Sequence, residues 1–177
     1  MTIKERINII KLSLLLCIVA SCKNHDNSGK YLLLFNDTTS NEFGYKNLQG
    51  KIIIPQGKYP FCFTDTFKTY AIVLKPGIGF IAINRQEKLL YKVFDFDNGP
   101  DEESEGLFRI IENDKIGFAD AATGEVLIKP QFDCAFPFEE GKSKVSNDCK
   151  IHAEGEHPEW QSDNWFYIDK TGKRVGN

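Results

Sequence analysis

Five side chains that bind zinc in proteins lie close together near the C-terminal end of the sequence. They are Cys149, His152, Glu154, Glu156 and His157. Thiolate, imidazole and carboxylate groups at this spacing are compatible with a zinc site. A metal site also needs a rigid frame, and this segment has few apolar residues to build one. Two interpretations stay open, a zinc site and a polar exposed loop, and the loop is favoured.

A second group of charged side chains is entirely acidic. It comprises Asp95, Asp97, Asp101, Glu102, Glu103 and Glu105. So many carboxylates could hold calcium, but the order does not fit the EF-hand loop, in which Gly99, Pro100 and Gly106 fall at the wrong positions. A solvated acidic loop is the simpler interpretation. A hydrolase using carboxylates among Asp95, Asp97, Glu154 and Glu156 as acid and base is a third-ranked alternative.

Motifs for nucleotide binding and nucleophilic catalysis are not supported. Residues 77–82, GIGFIA, match a dinucleotide fingerprint, but a strand rather than a helix is predicted to follow. Residues 141–143, GKS, lack the earlier glycine of a phosphate loop, since Phe136 stands there. The sequence has no Gly-x-Ser-x-Gly elbow and no His-Glu-x-x-His pair. We therefore expect no enzyme activity, no metal ion and no small-molecule cofactor.

These residues must be positioned by a chain that repeats itself. Four apolar or aromatic steps recur, of which three contain glycine: Phe43-Gly44-Tyr45, Ile78-Gly79-Phe80, Ile116-Gly117-Phe118 and Trp165-Phe166-Tyr167. Their middle residues are 35, 38 and 49 residues apart, and regular spacing of this size marks a repeat architecture. The longer last interval predicts an insertion of about fourteen residues between Val145 and Trp165.

The repeated steps resemble the WG repeat family. Its pattern is a Trp-Gly step followed by an aromatic, an aliphatic and Asp, then Gly-Lys, Ile-Pro, Tyr-Asp and a Glu-Gly strand. Matching segments are residues 116–120 (IGFAD), 128–130 (IKP), 132–133 (FD), 138–141 (FEEG) and 165–173 (WFYIDKTGK). The second unit lacks the Asp, having Ala82. The resemblance implies a repeat fold and no common activity.

The fold predicted for residues 30–177 is all-β, an antiparallel curved sheet or open barrel built from WG-type repeats. Short β-branched and aromatic runs bounded by Gly, Asn, Asp or Lys predict strands, and no sustained helical period appears. We expect the recurrent glycine to let an aromatic ring of a neighbouring unit pack over bare backbone. Pro55 and Pro130 are expected to follow strands, where the missing N–H is harmless.

Residues 1–21 read as a secretory signal, with Lys4, Arg6 and Lys11 before a short apolar stretch. Residues 19–22, VASC, resemble a bacterial lipobox, which implies lipidation of Cys22 with palmitate among the acyl chains. More than one chain gives stable anchoring. Residues 22–29 would then be the acylated cysteine and a flexible tether. Lys23 is compatible with sorting to the outer membrane, so a cell-envelope location is expected.

Once Cys17 and Cys22 are set aside, three cysteines are left, Cys62, Cys134 and Cys149. In an oxidising compartment an odd number leaves at least one unpaired. Cys62 and Cys134 read as buried apolar residues within aromatic strands. The pairing Cys134–Cys149 is the one to test first, because it would join the insertion to its repeat.

The formal net charge of −3 gives no basic surplus for a nucleic-acid partner. The expected function is that of an extracytoplasmic, membrane-anchored binding lipoprotein for a protein or glycan partner, and an immunity-type inhibitor of a secreted toxin is its sharper form. An envelope structural or assembly protein is the alternative. Residues 147–163 form the predicted binding loop, because recognition residues concentrate in loops on rigid scaffolds. Its candidate contacts are Trp160, His152, His157, Glu154, Glu156 and Glu159.

Overall fold

The computed structural model describes residues 29–37, 39–152 and 159–176, and for residues 151 and 152 it describes the backbone alone. These residues form antiparallel strands and no helix, which confirms the predicted all-β class. No helix long and apolar enough to cross a membrane occurs among them. The strands are β1 (Leu32–Asp37), β2 (Glu42–Lys46), β3 (Ile52–Tyr59), β4 (Thr66–Phe67), β5 (Tyr70–Lys75), β6 (Gly79–Asn84), β7 (Leu89–Val93), β8 (Asp95–Phe96), β9 (Gly99–Pro100), β10 (Leu107–Glu112), β11 (Lys115–Asp120), β12 (Val126–Phe132), β13 (Cys134–Ala135), β14 (Lys142–Ser146), β15 (Lys150–His152), β16 (Glu159–Gln161), β17 (Phe166–Asp169) and β18 (Arg174–Val175).

Each repeat is a three-stranded antiparallel meander. Repeat one is β1-β2-β3, repeat two is β5-β6-β7, repeat three is β10-β11-β12, and repeat four is β14-β17-β18 with the hairpin β15-β16 inserted. Repeats two and three share one six-stranded sheet because β7 pairs with β10. Repeats one and four lie in separate four-stranded sheets. None of the sheets closes, in agreement with an open curved architecture.

One side chain marks the same place in every repeat. The side-chain oxygens of Asn47, Asn84, Asp120 and Asp169 each accept hydrogen bonds from backbone amides of the turn that follows the second strand. Asn and Asp favour such turns because their short side chains mimic a backbone carbonyl. The repeats are therefore aligned by this residue.

This alignment corrects the predicted register of repeat two. The residue three places before the turn residue is Gly44, Ile81, Gly117 or Phe166, so Ile81, and not Gly79, occupies the glycine position. The acidic position of repeat two is filled by Asn84 rather than Ala82. The corrected intervals are 37, 36 and 49 residues, and the insertion is thus about thirteen residues long.

Gly44 and Gly117 are required mainly by a close approach of backbone from their own repeat, and the one ring that also crowds them, Phe35 beside Gly44, belongs to the same repeat and not to a neighbouring one. A Cβ on Gly117 would lie 2.5 Å from the Pro130 nitrogen, and one on Gly44 would lie 2.7 Å from the Ile54 carbonyl oxygen. Pro55 and Pro130 lie inside β3 and β12, not after them, at irregularities where the strand bows over the glycine. The missing N–H is tolerated there because the ladder is already interrupted.

A second irregularity lies near the start of the third strand in repeats one to three. Residues 53, 90 and 127 each stand as an extra residue between two paired neighbours. They are spaced by 37 residues and are all exposed aliphatic side chains. Bulges of this kind re-aim side chains without ending the strand.

Three apolar clusters lie between successive repeats. The first joins repeat one to β5 and β6, the second joins repeats two and three, and the third joins repeats three and four. Strand β6 feeds two of them, because Ile81 and Ile83 enter the first while Phe80 and Ala82 enter the second. Alternate residues of a strand face opposite sides of the sheet. Each repeat therefore buries its apolar residues against its neighbours.

Candidate binding surface

The predicted binding loop is a hairpin rather than an irregular loop. Strands β15 and β16 pair Lys150 with Gln161 and Ile151 with Trp160. Glu159 is exposed and Trp160 is half-buried. Glu154, Glu156, His157 and the side chain of His152 lie outside the described residues, so their predicted roles stay predictions.

The base of the hairpin is joined to repeat four by a disulfide between Cys134 and Cys149, whose Cα atoms are 5.7 Å apart. This confirms the predicted pairing. The disulfide also occupies the Cys149 sulfur, so Cys149 is not the zinc ligand considered above. Cys62 is buried as a free thiol.

A hydrogen-bond network holds the two ends of the hairpin together. Asp148 accepts hydrogen bonds from the hydroxyls of Ser162 (2.6 Å) and Ser146 (2.8 Å) and from the side-chain amide of Asn164. These donors, with Ser162 first, lower the pKa of the Asp148 carboxyl to about 2, because they stabilise its charged form. The insertion therefore enters and leaves the sheet through fixed contacts.

Trp160 connects the hairpin to the body of the protein. Its ring lies 5.8 Å from that of Phe94 and 5.4 Å from that of Phe136, both in edge-on geometry. It also packs against the cluster between repeats three and four. The insertion therefore packs against the sheet and is not independent of it. Packing on Phe94 and Phe136 leaves the indole ring only partly accessible, and these long-range contacts could not be read from sequence position.

Next to Trp160 lies a surface that the sequence did not indicate as a site. We call Phe136, Lys142, Lys144, Trp160, Trp165 and Tyr167 the aromatic platform. The Lys144 ammonium lies 4.7 Å from the ring centre of Trp165 and 5.7 Å from that of Phe136, and the Lys142 ammonium lies 5.7 Å from that of Tyr167. The signal that could have shown it is the alternation in β14, where Lys142 and Lys144 alternate with buried Ser143 and Val145.

Two open grooves are lined in part by residues of the platform. One, of about 620 Å³, is lined by Phe136, Pro137, Lys142, Lys144, Tyr167 and the carboxylates Glu139 and Glu140. The other, of about 450 Å³, is lined by Asn147, Asp148, Asp163, Asn164, Phe166 and Arg174 as well as Trp165. The aromatic faces are bordered by amide groups and by charged groups of both signs. Such surfaces are suited to binding amphipathic partners.

Some carboxylates of the acidic loop are engaged in ion pairs and hydrogen bonds within the fold. Asp101 is buried against Arg109 in an ion pair, and it also accepts a hydrogen bond of 2.7 Å from the Arg109 backbone amide. Glu105 pairs with Lys170 at 3.1 Å and accepts a hydrogen bond from the Gly141 amide. The Lys170 contact first and the Gly141 amide next lower the pKa of Glu105. Asp95 and Asp97 lie in and beside the small hairpin β8-β9. In the described parts of the chain no three acidic, histidine or cysteine side chains converge as metal ligands.

Residues 116–149 match the family model of the WG containing repeat. The match runs from β11 to just after β14, and it confirms the predicted WG repeat for this segment. No curated protein matches the chain. No solved structure matches it either.

Proposed function

We propose that this protein is a membrane-anchored extracytoplasmic lipoprotein that works as a non-catalytic binding module, with the aromatic platform and the inserted hairpin as its binding surface for a protein or glycan partner. The observation that carries the proposal is the platform itself. Large aromatic rings and lysines stand half-exposed beside two grooves, on a part of the fold that a disulfide and the Asp148 network hold in place.

Rigid presentation is what a binding surface needs. Aromatic side chains give much contact area with little loss of conformational freedom, and they are enriched where interfaces are strongest. Phe136 is the most exposed ring of the group, and Lys144 covers it and Trp165 from one side. A partner that displaces or contacts Lys144 therefore reaches both rings.

An extracytoplasmic location is supported by the disulfide between Cys134 and Cys149, because disulfides persist in oxidising compartments and are rare in the cytosol of most organisms. It agrees with the leader and the lipobox-like residues that end at Cys22. Lys23 is compatible with sorting to the outer membrane, as the resemblance to bacterial lipoproteins implies, and this location belongs to the same proposal. Cys22→Ala is expected to leave the protein unacylated and outside the membrane fraction.

The test uses the immobilised protein and two matched variants. Phe136→Ala removes an exposed ring from the platform, and Phe61→Ala removes a similarly exposed ring elsewhere; the two side chains are 39% and 48% exposed. Envelope extracts and purified envelope glycans are passed over each protein. We expect a captured species to be lost with Phe136→Ala and with Lys144→Glu and to be kept with Phe61→Ala. Equal capture by all forms would place the binding surface elsewhere.

Two further outcomes separate the forms of this proposal. A gene for a secreted basic toxin beside this one, and neutralisation of that toxin by the purified protein, would identify an immunity-type inhibitor. Recovery in a stable outer-membrane complex under native extraction would instead indicate a structural or assembly role in the envelope.

A further inference from the structure

The described chain begins beside the turn between β6 and β7. The Arg85 guanidinium donates a hydrogen bond to the carbonyl oxygen of Gly29. Cys22 lies only seven residues before Gly29. Seven residues span at most about 25 Å when fully extended. If Cys22 is acylated, as proposed above, this turn is held within that distance of the bilayer.

The turn is a rigid part of the fold. The Asn84 side-chain oxygen accepts hydrogen bonds from the backbone amides of Gln86 (3.0 Å) and Lys88 (2.9 Å). Glu87 accepts hydrogen bonds from the Lys58 ammonium (2.8 Å) and the Tyr59 hydroxyl (3.1 Å), both from the end of β3. Contacts from repeat one therefore fix the orientation of a turn that belongs to repeat two.

The side chains that follow the turn suit a phospholipid surface. Leu89 and Leu90 are 44% and 41% exposed, and the bulge at residue 90 turns the second of them outwards. Lys88 and Lys30 are exposed and Arg85 is half-buried. The carboxylate of the turn, Glu87, is already paired with Lys58. Apolar side chains bordered by cations are typical of surfaces that settle on anionic lipid.

We infer that this membrane-facing patch, formed by Lys30, Arg85, Lys88, Leu89 and Leu90, docks on the phospholipid surface that holds the acyl chains of Cys22. The inference rests on the proposed lipidation and deepens it, since it states which side of the domain faces the membrane. Docking needs little affinity of its own, because a short tether keeps the patch at a high effective concentration near the lipid.

Docking of this patch also determines where the aromatic platform lies relative to the membrane. The patch belongs to repeats one and two, whereas the aromatic platform lies in and around repeat four, and the three apolar clusters each lie between successive repeats. Docking at Leu89 and Leu90 therefore fixes the near end of the repeat array at the membrane and presents the platform at the other end of the array.

The repeat supplies a matched control. Val126 and Leu127 are the residues equivalent to Leu89 and Leu90, on the same kind of bulge, and they are 42% and 50% exposed. They follow Glu125 instead of a lysine and belong to the next repeat. The exposure, the aliphatic side chains and the backbone are thus closely matched, and the differences are the flanking charge and the distance from the tether.

The experiment places one dye at each position. The full-length variants Leu90→Cys and Leu127→Cys, acylated in the producing cell, are labelled with a polarity-sensitive thiol dye. The dye reacts with the engineered thiol, because Cys62 is buried and Cys134 and Cys149 form a disulfide. The proteins are reconstituted in vesicles of phosphatidylethanolamine and phosphatidylglycerol that contain nitroxide-labelled lipid. We expect quenching at position 90 to exceed that at position 127 by about threefold or more, as befits side chains buried at the headgroup level.

Each result decides something. Equal quenching at both positions, in protein that sediments with the vesicles, would overturn the docking patch and leave the anchor standing. Protein that stays in the supernatant would overturn the anchor, and the docking inference with it. As a second readout, Leu89→Glu with Leu90→Glu in a chain labelled at Lys88→Cys should abolish the quenching, whereas Val126→Glu with Leu127→Glu should leave it unchanged.

Discussion

Repeats three and four are the same three-stranded meander, and three equivalent positions show how they diverge. Arg109 in repeat three corresponds to Lys144 in repeat four, since each pairs with the residue after the glycine position. Gly117 corresponds to Phe166. The tight turn at Asn113 and Asp114 corresponds to the inserted hairpin of residues 147–163.

The two cations differ in burial and therefore in role. Arg109 is 3% exposed, pairs with Asp101, donates to the Ala135 carbonyl and lies 4.2 Å from the ring centre of Phe94. Lys144 lies over Phe136 and Trp165 at the surface and has no carboxylate partner among the described residues. The rings of Phe94, Trp160 and Phe136 connect the two sites. The buried cation is held by an ion pair inside the fold, whereas the half-buried one at the same position lies against aromatic rings.

Which residue occupies the glycine position depends on how closely the neighbouring strand approaches it. Gly117 is needed because β12 bows over it, whereas β18 pairs with Tyr167 and Ile168 and leaves room for the Phe166 ring, which packs on Phe132 and under the Arg174 guanidinium. In repeat two the glycine position is held by Ile81. It pairs with Lys92 in regular register, so no strand bows over it and no glycine is needed there. Glycine is thus a packing requirement of individual repeats rather than of the fold.

The sharpest test of the comparison replaces the two cations by methionine. Arg109→Met leaves Asp101 buried without a partner and should cost about 3–5 kcal/mol of unfolding free energy. Lys144→Met loses only an exposed cation–π contact, about 0.5–1 kcal/mol. Denaturant unfolding measures both. The double variant Arg109→Met with Asp101→Leu should recover part of the loss; similar losses for the two single variants would refute the assignment of roles.

Opening the disulfide should make repeat four more like repeat three by releasing its insertion. Cys149→Ser removes a cross-link between residues 15 apart, and loops of that size contribute about 3 kcal/mol. The two tryptophans of the chain, Trp160 and Trp165, both lie at this site, so a red shift of their emission should accompany the loss. Reductant should reproduce both effects in the parent protein and change nothing in Cys149→Ser.

A methyl group added at the glycine position tests the second contrast. Gly117→Ala places Cβ against backbone of β12 and should cost about 1–3 kcal/mol, the usual range for overpacking. Gly176→Ala is the control, because no atom lies within 4 Å of its added Cβ. Calorimetric midpoints of the two variants should differ by several degrees, and coincident midpoints would show that β12 relaxes freely.

The smallest expected effect concerns the Asp148 network. Repeat three has no insertion and therefore does not need such a network. The folded pKa of about 2 lies below the ordinary value of about 3.9, so the stabilisation is complete above the ordinary pKa and is lost as the pH falls through about 2. Ser162→Ala removes the strongest donor and should raise the pKa. Carboxyl NMR titration measures this shift; an unchanged pKa would mean that Ser162 does not hold the charge.

Much of the fold was readable from the sequence because strands and turns depend on nearby residues. Short β-branched and aromatic runs bounded by turn residues predicted strands such as β5, β6 and β10, and the Glu105-Gly106 and Glu140-Gly141 turns recur with left-handed backbone in both places. The register of repeat two was misread because Gly79 imitates the glycine of its neighbours. Only the Asn84 turn and the pairing of β6 with β7 reveal that Ile81 holds that position.

By itself the sequence determined the all-β class, the number of repeats, the place of the insertion and the cysteine pair worth testing. The tertiary structure alone decided that Asp101 is a buried partner of Arg109, that Trp160 is half-buried against Phe94 and Phe136, and that Lys144 lies half-buried over Trp165. The physical reason is the distance along the chain over which each kind of interaction acts. Propensity and turn chemistry act within a few residues, whereas burial depends on which distant strand covers a side chain. An arginine and a lysine at equivalent positions therefore differ in burial and in contacts.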